Sequence, residues 1–175
     1  MASIITNHVQ VVHSSADWML EWNWPPMAYT RAVGINAWIA SLNGQVETFR
    51  FRPTQPYDTT PLSMRYTASI GYQYNKSVVV GGWAANAESQ LFTGQYLQIG
   101  EQLLMITAAS AVADANGRVI IEFAPWLRLT YPPGTTVNFV NPAGVFRLAE
   151  GSGLGFTLDP DRAPTFGTLR AVEAV

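Results

Sequence analysis

Residues 94 to 130 read GQYLQIGEQLLMITAASAVADANGRVIIEFAPWLRLT, and two of the apolar runs are separated only by Gly100-Glu101. Two residues cannot carry a crossover, so QYLQIG and QLLMITA must pair antiparallel, with Gly at the first central position of the turn. ADANG then supplies a longer turn built from Asp114, Asn116 and Gly117, and RVIIEF pairs back. In APWLRL, Pro125 ends that pairing and Trp126 is expected to fill the bend.

The rest of the chain extends this β pattern. DWMLEWNWPP puts Trp18, Leu20, Trp22 and Trp24 on one strand face and is closed by Pro25-Pro26. A strand over 29–33 is expected next. The period then changes: Ile35, Trp38, Ile39 and Leu42 fall at i, i+3, i+4 and i+7, which predicts one short helix over about 34–43. Asn43-Gly44 tolerates a left-handed end to it.

QVETFRFRP alternates Phe49 and Phe51 with Arg50 and Arg52. SMRYTASIGYQY predicts a long strand with Met64, Tyr66, Ala68, Ile70, Tyr72 and Tyr74 on one face. An Asn75-Lys76 hairpin turn leads into SVVVGGW, where Gly81-Gly82 marks a bend or bulge. TTVNFV, GVFRLA and TLRAVEAV complete the strands. Many short strands at roughly ten-residue spacing, with one helix, predict a mainly β protein, a sandwich or barrel-like body with the helix packed on it. At 175 residues the expectation is one domain over 1–175.

Composition narrows the partners. There is no cysteine, so disulfides and thiolate metal sites are excluded. Net charge is −2 with no basic stripe, which argues against specific nucleic-acid binding. The N-terminal sequence lacks the pattern of a signal peptide, and no apolar run approaches the ~20 residues of a membrane-spanning helix. The sequon Asn75-Lys76-Ser77 reads as a turn. Charged residues make up only 13%, and Lys76 is the one lysine among ten basic residues. Few charges, six Trp and Arg over Lys fit either a Trp-rich core or a surface covered by neighbouring subunits. The second reading is taken forward.

No constellation for chemistry emerges. His8 and His13 are five apart, with Asp17 beyond, and an odd spacing on a strand places the two rings on opposite faces. His13, Ser14 and Asp17 hold the residue types of a nucleophilic triad without a nucleophile elbow. Asp159 and Asp161 sit in a Pro-rich turn beside Arg162. GSGLGF, 151–156, is Gly-rich without a phosphate-loop Lys-Ser/Thr and reads as a mobile loop. Accordingly, no catalytic, cofactor or metal residue is assigned, and the chain is read as a non-enzyme. Trp18, Trp22 and Trp24 could form a sugar-stacking platform, but their alternation equally suits a core-facing strand.

Residues 94–149 carry a resemblance: a GxYxxIG strand start, a strand ending in ITA, a turn rich in Asp, Asn and Gly, a Pro-aromatic-Leu-Arg corner, then NPxGxFRL. With AWIASLNGQVETFRFRP and the ending LRAVEAV, this resembles structural proteins of tailed bacteriophages, specifically distal tail (baseplate hub) and tail-tube proteins. The resemblance implies a β-rich body with one helix and assembly into a ring, most simply of six copies. It also implies tube and baseplate-hub proteins as partners, and a place in the virion tail. The alternative kept beside it is a carbohydrate-binding β-sandwich module of a virion.

Overall fold

The structure, a computed structural model, describes residues 8–14, 17–54, 64–152, 155–158 and 164–175. The chain is mainly β, with one α-helix among these residues. Its contacts divide it into two compact units, Met1–Phe49 with Phe146–Ala174, and Arg50–Val145 with Val175.

In the first unit, β1 (His8–Ser14) and β2 (Asp17–Asn23) form a hairpin whose register runs from Ser14↔Asp17 to His8↔Asn23. With β3 (Thr48–Phe51), β10 (Gly144–Leu148) and β13 (Leu169–Glu173) they make a five-stranded sheet, ordered β1-β2-β13-β10-β3. The alternation of DWMLEWN sends Trp18, Leu20 and Trp22 into the core, where Phe146, Leu148, Leu169 and Ala171 are also buried. Phe49 packs against Trp22 and Phe146, with ring centroids 5.7 and 6.3 Å away. On the open side Arg170 pairs with Glu21, its register neighbour, at 3.2 Å. Two short strands, β11 (Thr157–Leu158) and β12 (Pro164–Thr165), pair separately.

The helix α1 covers Tyr29–Ser41, so the strand expected over 29–33 is its first turn. Its buried residues explain the extension. Ala32, Ile39 and Leu42 are buried and Ile35 half-buried, a stripe at i, i+3, i+7 and i+10 that continues one turn further back than the large apolar residues do. Asn43 and Gly44 both take left-handed conformations after it (φ 48° and 68°), as expected. Trp38 is 37% exposed, touching Phe49 edge-on at 5.3 Å. Full burial would make Trp38→Ala cost ~3–5 kcal/mol; with the ring partly open, about 1–3 kcal/mol is expected, measured by chemical denaturation.

The second unit is a closed six-stranded antiparallel barrel, ordered β4-β5-β8-β7-β6-β9. Its strands are β4 (Arg65–Thr67), β5 (Ser77–Gly81), β6 (Tyr96–Ile99), β7 (Gln102–Ala109), β8 (Arg118–Ala124) and β9 (Thr136–Asn138). The meander β6-β7-β8 with β5 returned beside β8 is a Greek key. The two-residue link forms as expected, with Ile99 opposite Gln102 and Gly100 at φ 60°. Val78, Val80, Leu97, Ile99, Leu104, Ile106, Val119, Ile121, Phe123 and Val137, alternate residues of β5 to β9, fill the interior with Phe139 just past β9.

Three expectations change here. The long strand from Met64 to Tyr74 stops at Thr67. Beyond it Gly71 forms an isolated bridge with Tyr131, and a Cβ at Gly71 would lie 2.8 Å from Leu127 Cδ1. The link to β5 is therefore longer than an Asn75-Lys76 hairpin, and Tyr74 carries its positive φ, 70°. At the corner, β8 ends at Ala124 before the cis Ala124-Pro125 bond, but Trp126 is only half-buried and Leu127 fills the bend.

The corner is held instead by Gln102, which is fully buried. Its Nε2 donates to the Trp126 carbonyl at 2.7 Å, and its Oε1 accepts from the Arg128 N–H at 3.0 Å.

Burial on β6 raises the Tyr96 phenol above its ordinary 10.0. The neutral ring is favoured in the fold, so its contribution is fully present below pH ~10 and is lost as pH rises through the raised value. A tyrosinate difference titration between wild type and Tyr96→Phe should therefore have its midpoint above 10.0.

Candidate functional site

The residues singled out for chemistry fall in two places, the β1-β2 hairpin and the segment 159–162. His8 and His13 lie on β1, opposite Asn23 and Trp18 in register, and Asp17 opens β2 opposite Ser14. Asp159, Asp161 and Arg162 lie outside the described residues. Among the described residues no group of three His, Asp or Glu side chains could hold a metal ion. Of the proposed sugar platform, Trp18 and Trp22 are buried, and Trp24 is half-buried with its ring against Phe166 at 5.3 Å.

The Gly-rich segment takes part in a hollow of about 360 Å³ in the first unit. Gly151, Gly155, Trp24, Ile39, Phe166 and Thr168 line it. The Gly155 N–H donates to Asn36 Oδ1 of α1 at 3.0 Å. The middle of the segment expected to be a mobile loop, residues 153 and 154, lies outside the described residues. Among the described residues no charged side chain lines this hollow.

What the structure does present is apolar surface. On the barrel unit Met64, Tyr66, Ile70, Tyr72 and Tyr74 are all exposed, Tyr66 by 51% and Tyr74 by 69%. These are five of the six residues expected to share a strand face. Of the residues between them, Thr67 and Gly71 go inward, while Gln73 is exposed and Arg65 and Ser69 are half-buried. Thr67 is buried, its Oγ1 donating to the Pro132 carbonyl at 2.8 Å and accepting from the Thr135 N–H at 3.1 Å. Gly71 is buried against Tyr131, with reciprocal backbone bonds of 2.9 and 2.8 Å.

Tyr66 is positioned rather than loose. Its ring lies over the bare backbone of Gly81 and Gly82, within 3.2 Å of where a Gly81 Cβ would stand. Its neighbour Arg65 stacks over the Trp83 ring at 4.8 Å. Exposed aromatics close together in the chain are the composition of a binding surface, since tyrosine gives large contact area at low conformational cost. In the first unit α1 leaves Tyr29, Val33 and Trp38 open as well, and Arg31 is its one charged residue.

Neither a family model nor a curated protein sequence matches the chain. No helix among the described residues is long and apolar enough to cross a membrane.

Proposed function

We propose that this chain is a non-enzymatic structural subunit of a bacteriophage tail. The role is a ring component of the distal-tail or baseplate-hub type, joining tail tube to tail tip, with six copies as the working number. The observation that carries this reading is the exposed row Met64, Tyr66, Ile70, Tyr72 and Tyr74. Five large apolar side chains left exposed within eleven residues serve a chain whose partners cover them. Burying them against a neighbour removes the cost of leaving them wet. The resemblance over residues 94–149 supplies the tail context and the ring. Tail-tube and tail-completion roles belong to the same reading.

Contacts in such a ring are heterologous, so the Tyr row of one subunit meets a different face of the next. The decisive measurement is subunit stoichiometry and position inside an assembled particle. Six copies around the tail axis support the proposal; a single copy, or copies without rotational symmetry, overturns it. A sugar-binding module on the Trp18-Trp22-Trp24 platform is the weaker reading, because two of those rings are buried. Sugar binding that vanishes in Trp22→Ala while the fold is retained would reverse that order.

A further inference from the structure

We propose that two copies of this chain pair face to face through the outer surface of β5 and β8, about a two-fold axis centred on Ile120. The barrel alternation makes this face clean. On β8, Val119, Ile121 and Phe123 point inward, leaving Arg118, Ile120 and Glu122 exposed in a row, with Ile120 54% open. The register sets Ile120 beside Val79, Glu122 beside Ser77, and Arg118 beside Gly81. An apolar centre thus has a cation at one end and an anion at the other.

Neither charge has a partner among the described residues. Arg118 and Glu122 make no side-chain hydrogen bond or ion pair, whereas Arg50 and Arg170 each hold a carboxylate. They cannot satisfy each other either: four strand residues separate them by about 13 Å. Beside Arg118 is an open hollow of about 430 Å³, lined by Tyr66, Gly81, Asn116 and Arg118. Gly81 brings no side chain there, and the Tyr66 ring covers its backbone, 3.2 Å from where a Cβ would stand, as one wall of the hollow.

Symmetry selects the occupant. Packing two such faces about 10 Å apart, with the two-fold axis lying across the strands above Ile120, runs the facing β8 strands antiparallel. Ile120 then meets Ile120, and Arg118 of each copy meets Glu122 of the other, the carboxylate entering the hollow beside Tyr66. Two ion pairs form at once from one strand. An axis along the strand would set like charge on like charge and is disfavoured. The face is thus complementary to itself in one orientation only. This pairing does not use the exposed Tyr row, apart from Tyr66 at its margin, and stands independently of the tail reading.

Charge reversal tests it. Sedimentation of the full-length wild-type chain over a wide concentration range should show a two-fold association step. Arg118→Glu and Glu122→Arg should each weaken that step by about tenfold or more, because both symmetric contacts turn repulsive. Mixing the two single variants should restore it as a heterodimer, since every facing pair is again opposite in charge. The double variant should restore it as a homodimer. Rescue on mixing also shows that each variant is folded. If the chain forms rings by other surfaces, the step is read as a doubling of the ring. A wild type with no two-fold step, single reversals without effect, or a mixture that fails to re-associate overturns the proposal.

Discussion

Replacing Gly117 by Ala is expected to destabilise the protein by about 3–5 kcal/mol, from two causes that act together. Gly117 adopts φ 69°, where an L side chain is strained. An added Cβ would also lie 2.1 Å from the Trp83 carbonyl oxygen. That oxygen is backbone, so no rotamer change relieves the overlap. The Trp83 N–H meanwhile donates to the Gly117 carbonyl at 3.2 Å, so moving the two segments apart sacrifices that bond. Gly134→Ala is the control. Its φ of 87° is similarly left-handed, but nothing lies within 4 Å of the new methyl. Denaturation midpoints of the two variants separate strain from collision. Equal losses would mean that the close approach of Trp83 to Gly117 is not a feature of the folded protein.

Gln102→Ala is the second large effect, again about 3–5 kcal/mol. The side chain is wholly inside and makes both of its hydrogen bonds to the backbone of the 125–128 corner. Truncation leaves the Trp126 carbonyl and the Arg128 N–H without this partner beside a fully buried position, at ~1–3 kcal/mol each, and opens a void as well. Gln102→Glu sharpens the test. A carboxylate can still accept from Arg128, but it faces the Trp126 carbonyl with no donor. Gln102→Glu should thus be less stable than wild type at neutral pH and recover in part on acidification, as protonation returns a donor. Stability of Gln102→Glu that does not change with pH would argue against the clamp.

Parts of this fold were legible because few alternatives exist. Two residues between apolar runs leave one pairing for β6 and β7, and strict alternation in DWMLEWN and RVIIEF identifies their buried faces. The first turn of α1 was not legible. Its buried residue is Ala32, too small to register in an apolar pattern, and Tyr29 and Val33, which carry the β signal, are exposed. Alternation also leaves open which face is inside. From Met64 to Tyr74 the alternation set the aromatics on one strand face without saying whether it was buried, and the interior receives Thr67 and Gly71. Thr67 offers two hydrogen bonds to a buried loop, and Gly71 offers the absence of a side chain where Leu127 passes close by. Neither virtue is visible without the chain segment that each one meets. The exposed row was hidden for the same reason, as was the clamp by Gln102, whose partners lie 24 and 26 residues away.

The closure of the barrel carries a kinetic consequence. Its seam is the pairing of β4 with β9, where Tyr66 meets Thr136 and Arg65 meets Val137, positions about seventy residues apart in the chain. The hairpins β6-β7 and β7-β8 can form early because their loops are short, but the seam must await a long loop closure that no local contact repays. Until then β4 and β9 are open edges, and the half-made barrel can pair with another unfinished copy as readily as with itself. Synthesis order adds to the wait, since β4 leaves the ribosome long before β9 exists. The chain is thereby most exposed to its own copies before it has folded, while these two edges are still unpaired.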